Sequence, residues 1–276
     1  MNLKFAAVTR GQKYSPNHIG NDSQIMRLTI AELEKMGHRV RIYEEDIISP
    51  EVVTENFIFT MIRGSYALEK LVQFEKNGAF VINSTEAVLN CYRDRMARIL
   101  PEAGVPFPKS IIVETSAKNI DFSGFENQEK LWVKRGDVHA IHREDVTLVY
   151  QKEELYSVLL EYERRGIEKA VIQEQLDGDV VKFYAVNDSK FFHWYYHNGS
   201  RQLPFDPKFL HKIALDSARA LKVDIYGGDA VVGEDGSVKI IDLNDWPSFA
   251  PVREIASKHI AELIHNKALD FHSKIL

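Results

Sequence analysis

The sequence predicts an α/β domain followed by an α+β region. Before residue 105, short apolar segments alternate with segments of helical periodicity, a pattern that is typical of a small parallel sheet covered by helices. After the proline-containing stretch 104–108, which cannot continue a helix, β-rich segments follow one another more closely and indicate a mixed, antiparallel architecture. With 276 residues, of which 45% are hydrophobic, the chain can build substantial cores, so a disordered or fibrous protein is excluded.

The first domain is predicted to alternate strands and helices. Gly37 provides a stop for the first helix, and the capping sequence 83–86 begins the last one. The predicted strands cover residues 3–9, 40–43, 57–62 and 80–82, and the helices cover 23–36, 68–74 and 84–102. This order places polar loops directly after buried strands.

The second region is predicted to end with a β-hairpin and a helix. The turn 233–236 carries two glycines and an aspartate, which tolerate positive φ, between two β-rich segments. The predicted strands cover residues 109–113, 131–134, 146–149, 170–174, 180–186, 190–196, 226–232 and 238–243, and the helices cover 152–165, 206–221 and 253–265.

Charge and cysteine content restrict the possible partners and compartment. Lysine and arginine number 35 against 40 acidic residues, a net charge of -5 that gives no general attraction to nucleic acid or to an anionic membrane. The single cysteine, Cys91, cannot form an intramolecular disulfide, and no segment reaches the roughly 18 apolar residues of a membrane helix. We therefore expect a cytoplasmic protein without nucleic-acid or membrane partners, whose anionic ligands bind in a local basic pocket.

The strongest chemical signal is a set of three oxygen-bearing side chains on the predicted hairpin. Asp242 and Asn244 are two residues apart and share a face of an extended strand, and the hairpin can bring Asp229 opposite them. Carboxylate and amide oxygens bind Mg²⁺ or a similar hard cation such as Mn²⁺. The alternative is a group of exposed polar residues near a turn, but the apolar neighbours of Asp242 make an unpartnered acid costly there.

The residues around this hairpin resemble the metal-binding end of the ATP-grasp enzymes. The matching segments of the hairpin are 227–232 and 240–247. Upstream, residues 93–95 are similar to the family's Asp-Lys helix and residues 104–108 to its Gly-x-Pro-x-Pro entry. Residues 132–134 resemble the strand with the phosphate-binding lysine and residues 173–179 resemble the adenine hinge, in the same order as in the family. The resemblance implies an ATP-grasp fold with an N-terminal pre-grasp domain at 1–105, a central subdomain at 106–187 and a C-terminal, metal-binding subdomain at 188–276. It implies ATP and Mg²⁺, or Mn²⁺, as cofactors.

The resemblance also implies roles for individual residues. Lys134 and Arg95 would bind the ATP phosphates, Lys182 would face the transferred phosphoryl group, and Asp179 would hold the ribose. The adenine contacts would come from Gln173, Glu174 and the backbone near Leu176. The alternatives are surface charges for Lys134 and Arg95 and a polar strand end for the hinge residues.

Two features depart from the family pattern. Arg95 stands where a lysine is usual, which keeps the charge but changes its reach. The glycine-rich lid that commonly follows Lys134 is absent, and residues 135–143 replace it. His139, His142 and Arg143 in this segment would form an electrophilic lid, and we count His139 and Arg143 with Lys134 and Lys182 as candidate catalytic residues. The alternative is that these side chains are merely packed or exposed.

Three arginines are candidates for binding the acceptor. Arg10 and Arg63 each follow a predicted strand of the first domain, where parallel sheets bind ligands, and Arg253 begins the last helix. Ordinary surface arginines are the alternative. A small, anionic acceptor fits these positions, whereas nothing in the sequence predicts an oligomeric state.

The implied reaction is the ATP-dependent ligation of a small carboxylate to an amine through an acyl phosphate. The close alternative is a kinase that phosphorylates a hydroxyl of an inositol phosphate-like polyol, which Asp242 in place of glutamate and the missing lid both favour. A non-catalytic ATP-binding module is the lesser alternative, because a pure binding module does not need both a metal set and a phosphate set.

Overall fold

The computed structural model describes residues 1–15, 19–126, 128–138, 140–198 and 201–275, and these contain three four-stranded β-sheets. The first sheet is parallel, with strand order β2-β1-β3-β4. Its strands are β1 (Lys4–Thr9), β2 (Arg39–Glu44), β3 (Phe57–Thr60) and β4 (Phe80–Ile82), with helices α1 (Ile19–Lys35) and α2 (Ser65–Lys76). The predicted parallel sheet is confirmed.

The helix predicted over residues 84–102 is two helices. They are α3 (Thr85–Asn90) and α4 (Arg93–Glu102), and the Ser84 side chain caps the first by accepting a hydrogen bond from Ala87 N at 3.2 Å. Tyr92 has an extended backbone with φ -65° and ψ 140°, so the second helix begins anew after it. The first turn of α4 then meets the second sheet, where Asp94 N donates to Gly136 O at 2.9 Å.

The second sheet is antiparallel and carries one helix. Its order is β5 (Ser110–Glu114), β8 (Lys169–Glu174), β6 (Leu131–Arg135) and β7 (Val146–Val149). Helix α5 (Lys152–Arg164) packs Leu155, Leu159 and Tyr162 against one face.

The third sheet is also antiparallel and contains the predicted hairpin. Its order is β10 (Phe192–Asn198), β9 (Asp179–Val186), β11 (Ile225–Val232) and β12 (Val238–Asp245), with α6 (Pro207–Leu221) packed on its apolar face. Because β9 pairs with β10 and β11, the second and third sheets divide between Glu174 and Asp179, earlier than the predicted subdomain boundary at 187/188.

The last helix belongs to the core of the first sheet. Helix α7 (Arg253–Ile275) is ten residues longer than predicted, since the apolar positions continue through Ile264 and Ala268. It packs against α1, and its Ile260 shares a core with Phe5. None of the helices in the described part of the chain is long and apolar enough to cross a membrane.

Candidate active site

A cavity of about 430 Å³ lies between the third sheet and the carboxyl ends of the first sheet's strands. Strands β1 and β3 deliver Arg10 and Arg63 to it, because Arg10 directly follows the end of β1 and Arg63 lies three residues after the end of β3. Its lining includes Arg10, Asp22, Arg63, Arg93, Lys182, Tyr184, Tyr195, His197, Asp229, Asp242 and Asn244. The cavity therefore brings together residues of the first and third sheets and of α4.

The β11–β12 hairpin sets the three candidate metal ligands on one face of the third sheet. Asp229 is the direct partner of Asp242, and Asn244 lies opposite Gly227, so the geometry expected from the sequence is present. Gly228 permits the close approach of the two strands, because a Cβ there would lie 2.5 Å from Asp242 O. These backbone features place two carboxylates and an amide together.

Cations from two other elements neutralise these carboxylates. Lys182 Nζ lies 2.8 Å from Asp229 Oδ1, and Arg93 Nη2 donates to Asp242 Oδ2 at 2.9 Å. Burial raises the pKa of Asp229, Asp242 raises it further, and Lys182 opposes the rise. Two adjacent, partly buried carboxylates repel each other, so nearby positive charges stabilise their ionised forms.

The donor set fits a hard divalent cation. Among the described residues no cluster of three His, Cys, Asp or Glu side chains is suited to a metal, so Asp229 and Asp242 with the Asn244 amide would supply only part of a coordination shell. Mg²⁺ usually completes such a shell with phosphate oxygens and water. The residues therefore fit a metal that binds together with a phosphate-bearing ligand.

Lys134 is a buried cation on the second sheet. Its Nζ donates to Gln173 Oε1 at 2.6 Å and lies 3.4 Å from Ile241 O, which belongs to β12 of the third sheet. Burial, with Arg93 adding to it, lowers the pKa of Lys134 to about 8, although Asp242 and Asp229 oppose this. The ammonium thus joins the two sheets through hydrogen bonds to two neutral oxygens.

The predicted adenine residues are already engaged within the protein. Gln173 holds Lys134 through Oε1 and donates through Nε2 to Ser110 Oγ at 3.0 Å. Glu174 Oε1 accepts from Lys109 N at 2.9 Å and pairs with Lys239 Nζ at 3.1 Å. Leu176 is half-buried in the link between β8 and β9, where the chain crosses from one sheet to the next.

Asp179, which we expect at the ribose, lies outside the described lining of the cavity. Asp179 and Lys182 are three residues apart on β9, so their side chains point to opposite faces of the third sheet. Asp179 is buried, and its carboxylate accepts from Leu203 N at 3.0 Å and lies 3.6 Å from Arg201 Nε. It stabilises a loop beside the sheet instead of facing the cavity.

Arg93, and not Arg95, reaches the candidate metal site. The break between α3 and α4 makes Arg93 the first residue of α4, from which its side chain contacts Asp242. Arg95 is half-buried and does not line the described part of the cavity. Sequence reasoning missed Arg93 although it belongs to the matched motif 93–95, because a continuous helix would have oriented it differently.

His142 and Arg143 of the segment after Lys134, which we expect in a lid, lie outside the described lining of the cavity. Arg143 is exposed in a single 3₁₀ turn, Arg143–Asp145, and lies outside the cavity lining described above. Asp145 fixes this turn, since its buried carboxylate accepts from Ile141 N and His142 N at 2.8 and 3.0 Å. His139 lies outside the described residues, and Ala140 is the part of this segment that lines the cavity.

The three candidate acceptor arginines have different surroundings. Each guanidinium nitrogen of Arg10 has an acceptor within the protein, because Arg10 pairs with Asp22 at 2.8 Å and donates to Met61 O and Trp246 O at 3.2 and 3.0 Å. Arg63 is buried and lines the cavity. Arg253 does not line it; its guanidinium donates to Gln24 and Asn21 of α1, so it approaches the cavity only through Asn21.

Sequence reasoning also missed two tyrosines on the cavity wall. Tyr184 lies two residues after Lys182 on β9, and Tyr195 is the β10 partner of Lys182. Their hydroxyl oxygens are 3.5 Å apart, and burial raises the pKa of Tyr184. The position of Tyr184 two residues after Lys182 was the available sequence signal, since every second side chain of a strand points to the same face of the sheet.

Comparison with known proteins shows similarity of structure only. No protein-family model and no curated protein sequence matches the chain. It is similar to the D-alanine–D-alanine ligase of Bacillus anthracis in complex with ATP, with a TM-score of 0.71, 15% identity and 99% of each chain covered. An ATP-grasp RimK domain protein of Sphaerobacter thermophilus is similar at a TM-score of 0.69 and 16% identity, with 95% of this chain and 99% of that chain covered. The ATP-grasp ligase PsnB in complex with a minimal precursor is similar at a TM-score of 0.63 and 14% identity, with 96% of this chain and 99% of that chain covered.

Proposed function

From the ATP-grasp fold that the chain has over nearly its whole length, we propose that it is a Mg-ATP-dependent ligase that joins a small carboxylate to an amine. The similar solved structures include D-alanine–D-alanine ligases and the ATP-grasp ligase PsnB. The buried Cys91 is compatible with a reducing compartment, and we place the activity in the cytoplasm.

The observation that carries this proposal is the charge arrangement around the cavity. Asp229, Asp242 and Asn244 share one face, and Lys182 and Arg93 lie against the two carboxylates. Lys134 approaches the same strand from the second sheet through Ile241 O. The acids of the third sheet and the cations of the second sheet, the third sheet and α4 support a site where a nucleotide phosphate and a metal bind together.

Each residue then has a defined task. Asp229, Asp242 and Asn244 would hold Mg²⁺ or Mn²⁺, which neutralises phosphate charge when bound. Lys134 would bind ATP phosphates, and Lys182 would stabilise charge on the transferred group. The link through Leu176 would contact the adenine, with Gln173 and Glu174 positioning Lys134 and Lys239.

The reaction needs alignment and charge stabilisation more than a protein nucleophile. A carboxylate oxygen of the substrate attacks the γ-phosphorus, and the bond to the β–γ bridging oxygen breaks to release ADP. The amine then attacks the acyl carbon and loses a proton, and phosphate leaves with one oxygen of the original carboxylate. The products are an amide, ADP and phosphate.

Isotope transfer tests this sequence of bonds. The protein is incubated with Mg-ATP, amines and carboxylates labelled with ¹⁸O, and the released phosphate is analysed by mass spectrometry. A ligase transfers one ¹⁸O atom into phosphate for each amide formed. Phosphorylated inositol phosphates with ADP but no phosphate would instead establish the kinase alternative, and firm Mg-ATP binding without turnover on either panel would favour a binding module.

A further inference from the structure

One face of the third sheet carries a row of four side chains that crosses all of its strands. Tyr195 of β10 is the direct partner of Lys182 of β9. Lys182 is in turn the partner of Asp229 of β11, which lies opposite Asp242 of β12. All four side chains line the cavity. Because neighbouring strands lie about 4.8 Å apart, Tyr195 is one strand away from Lys182, on the side opposite the candidate metal ligands.

The ring of Tyr195 is held between two other rings. Its centroid lies 6.1 Å from that of His193 on the same strand and 6.3 Å from that of Tyr184 on β9, with 28° between the planes of the two tyrosines. Tyr184 packs in turn against Phe249, which is completely buried, at 5.2 Å. The phenol of Tyr195 is therefore presented to the cavity from a fixed support and needs little reorganisation to meet a ligand.

The hydroxyl of Tyr195 is able to donate to a ligand. In the described part of the chain its hydrogen-bond partner is Tyr184 Oη at 3.5 Å, which is longer than the distance of about 2.5 to 3.0 Å that is usual between two oxygens. Burial raises the pKa of Tyr184, and the hydrogen bond with Tyr195 raises it further, so Tyr184 keeps its proton. When Tyr184 donates to Tyr195 Oη, the hydrogen atom of Tyr195 is available to a ligand.

We propose that Tyr195 donates a hydrogen bond to the phosphoryl group that is transferred from ATP. This inference rests on the phosphoryl transfer that begins the proposed ligase reaction. Negative charge spreads over the equatorial oxygens of that group during transfer, and hydrogen-bond donors already in place stabilise it. Lys182 lies at the centre of the row and the candidate metal ligands at one end, so Tyr195 supplies the donor at the other end. The hydroxyl keeps its proton throughout, and no covalent bond to the protein forms.

A mimic of the transferred group tests the proposal without knowledge of the acceptor. ADP with Mg²⁺ and fluoroaluminate is titrated calorimetrically into the protein, and ADP with Mg²⁺ alone gives the baseline. We expect fluoroaluminate to tighten the binding of ADP to the wild type. Tyr195→Phe, which keeps the ring and its contacts, should reduce this gain roughly 10- to 100-fold, the value of one hydrogen bond to a charged group. Its affinity for ADP with Mg²⁺ alone should not change.

The next residue of the strand supplies a matched control. Tyr196 points to the opposite face of the sheet, where its hydroxyl donates to Leu203 O at 2.6 Å. Tyr196→Phe should therefore lower the melting temperature but retain the full gain from fluoroaluminate. An equal loss of the gain in both variants would make the effect of Tyr195 a general effect on the sheet and would count against the inference.

Three further results would overturn the inference. The first is a wild type that gains no affinity for ADP from fluoroaluminate. The second is a gain of the same size in the wild type and in Tyr195→Phe. The third is an equal loss of affinity for ADP with and without fluoroaluminate in Tyr195→Phe, which would place this hydroxyl beside the ADP portion of the nucleotide.

The same experiments separate this inference from the ligase proposal. A gain that depends on Tyr195 without ¹⁸O transfer into phosphate would leave the phosphoryl contact standing and reject the ligase reaction. Isotope transfer together with a gain that is independent of Tyr195 would do the opposite.

Discussion

The two lysines of the cleft, one on each antiparallel sheet, are held in opposite ways. Lys134 on β6 is buried against neutral oxygens of Gln173 and Ile241, and its pKa is lowered to about 8. Lys182 on β9 is partly buried, but its pKa is raised because the attraction of Asp229 outweighs the effect of burial. The same residue type therefore performs two different electrostatic tasks.

This contrast shows that the second and third sheets offer different charges to a ligand. The second sheet presents a positive charge that gains most from an incoming anion, because the described hydrogen bonds of Lys134 go to neutral oxygens. The third sheet presents carboxylates together with their own counter-charges, so an incoming cation must compete with Lys182 and Arg93. A nucleotide together with its metal supplies an anion for the second sheet and a cation for the third. A nucleotide alone or a metal alone supplies only one of these charges.

The largest effect should come from removing a carboxylate of the third sheet. Asp242→Asn should reduce turnover about 1000-fold, because a metal contributes several kcal/mol of charge stabilisation in phosphoryl transfer. Coupled ADP release measures the rate, and thermal unfolding verifies the fold. Asp270→Asn, which removes an exposed acid of α7, should keep full turnover. Equal rates for the two variants would exclude Asp242 from the metal site.

Removing the charge of the second sheet should act on nucleotide affinity. Lys134→Met should weaken the binding of Mg²⁺ with an ATP analogue roughly 10- to 100-fold, the value of one charge-assisted hydrogen bond. Its unfolding free energy should stay the same or rise, because a buried cation is costly. Lys130→Met, just before β6, is the exposed control. A loss of stability with unchanged affinity would reverse the assignment.

The matching change on the third sheet should act on stability instead. Lys182→Met leaves Asp229 without its counter-charge and should lower the unfolding free energy by about 1 to 2 kcal/mol, discounted for partial exposure. Added Mg²⁺ should raise the melting temperature of this variant more than that of the wild type, because the metal no longer competes with the ammonium. If Mg²⁺ stabilises both proteins equally, Lys182 does not compete for Asp229.

The smallest effect should appear in the pH dependence of nucleotide affinity. With a pKa of about 8 for Lys134, nucleotide affinity should fall about fourfold between pH 7 and 8.5 as the ammonium loses its proton. The unfolded chain holds that proton up to about pH 10.4, so this residue makes stability rise with pH above 8. Calorimetry at several pH values measures the trend. An identical pH trend in Lys134→Met would assign it to another group.

The sequence was sufficient to predict the order of the secondary-structure elements and the local geometry within a strand or turn. Strand alternation correctly placed Asp242 and Asn244 on one face, and the glycine-containing turn correctly predicted the hairpin. The same alternation rule places Asp179 and Lys182 on opposite faces, so the predicted role of Asp179 at the ribose rests on motif resemblance and not on residue spacing. Local spacing is reliable because it depends only on the strand itself.

The pairings between distant segments could not be predicted in this way. Arg93 and Asp242 are 149 residues apart, and their contact depends on the break before α4. Arg253 meets α1 instead of the cavity because α7 docks on that helix. Such contacts follow from how elements pack together, which neither periodicity nor capping signals encode.

Helix α7 has a consequence for how the protein is made. The strand β1 leaves the ribosome early, yet part of its core consists of Ile260, Ile264 and Ala268 from the end of the chain. At about 5 to 20 residues per second, synthesis would leave that apolar face uncovered for roughly 10 to 50 seconds. The nascent chain therefore exposes an apolar surface to which chaperones can bind during this interval.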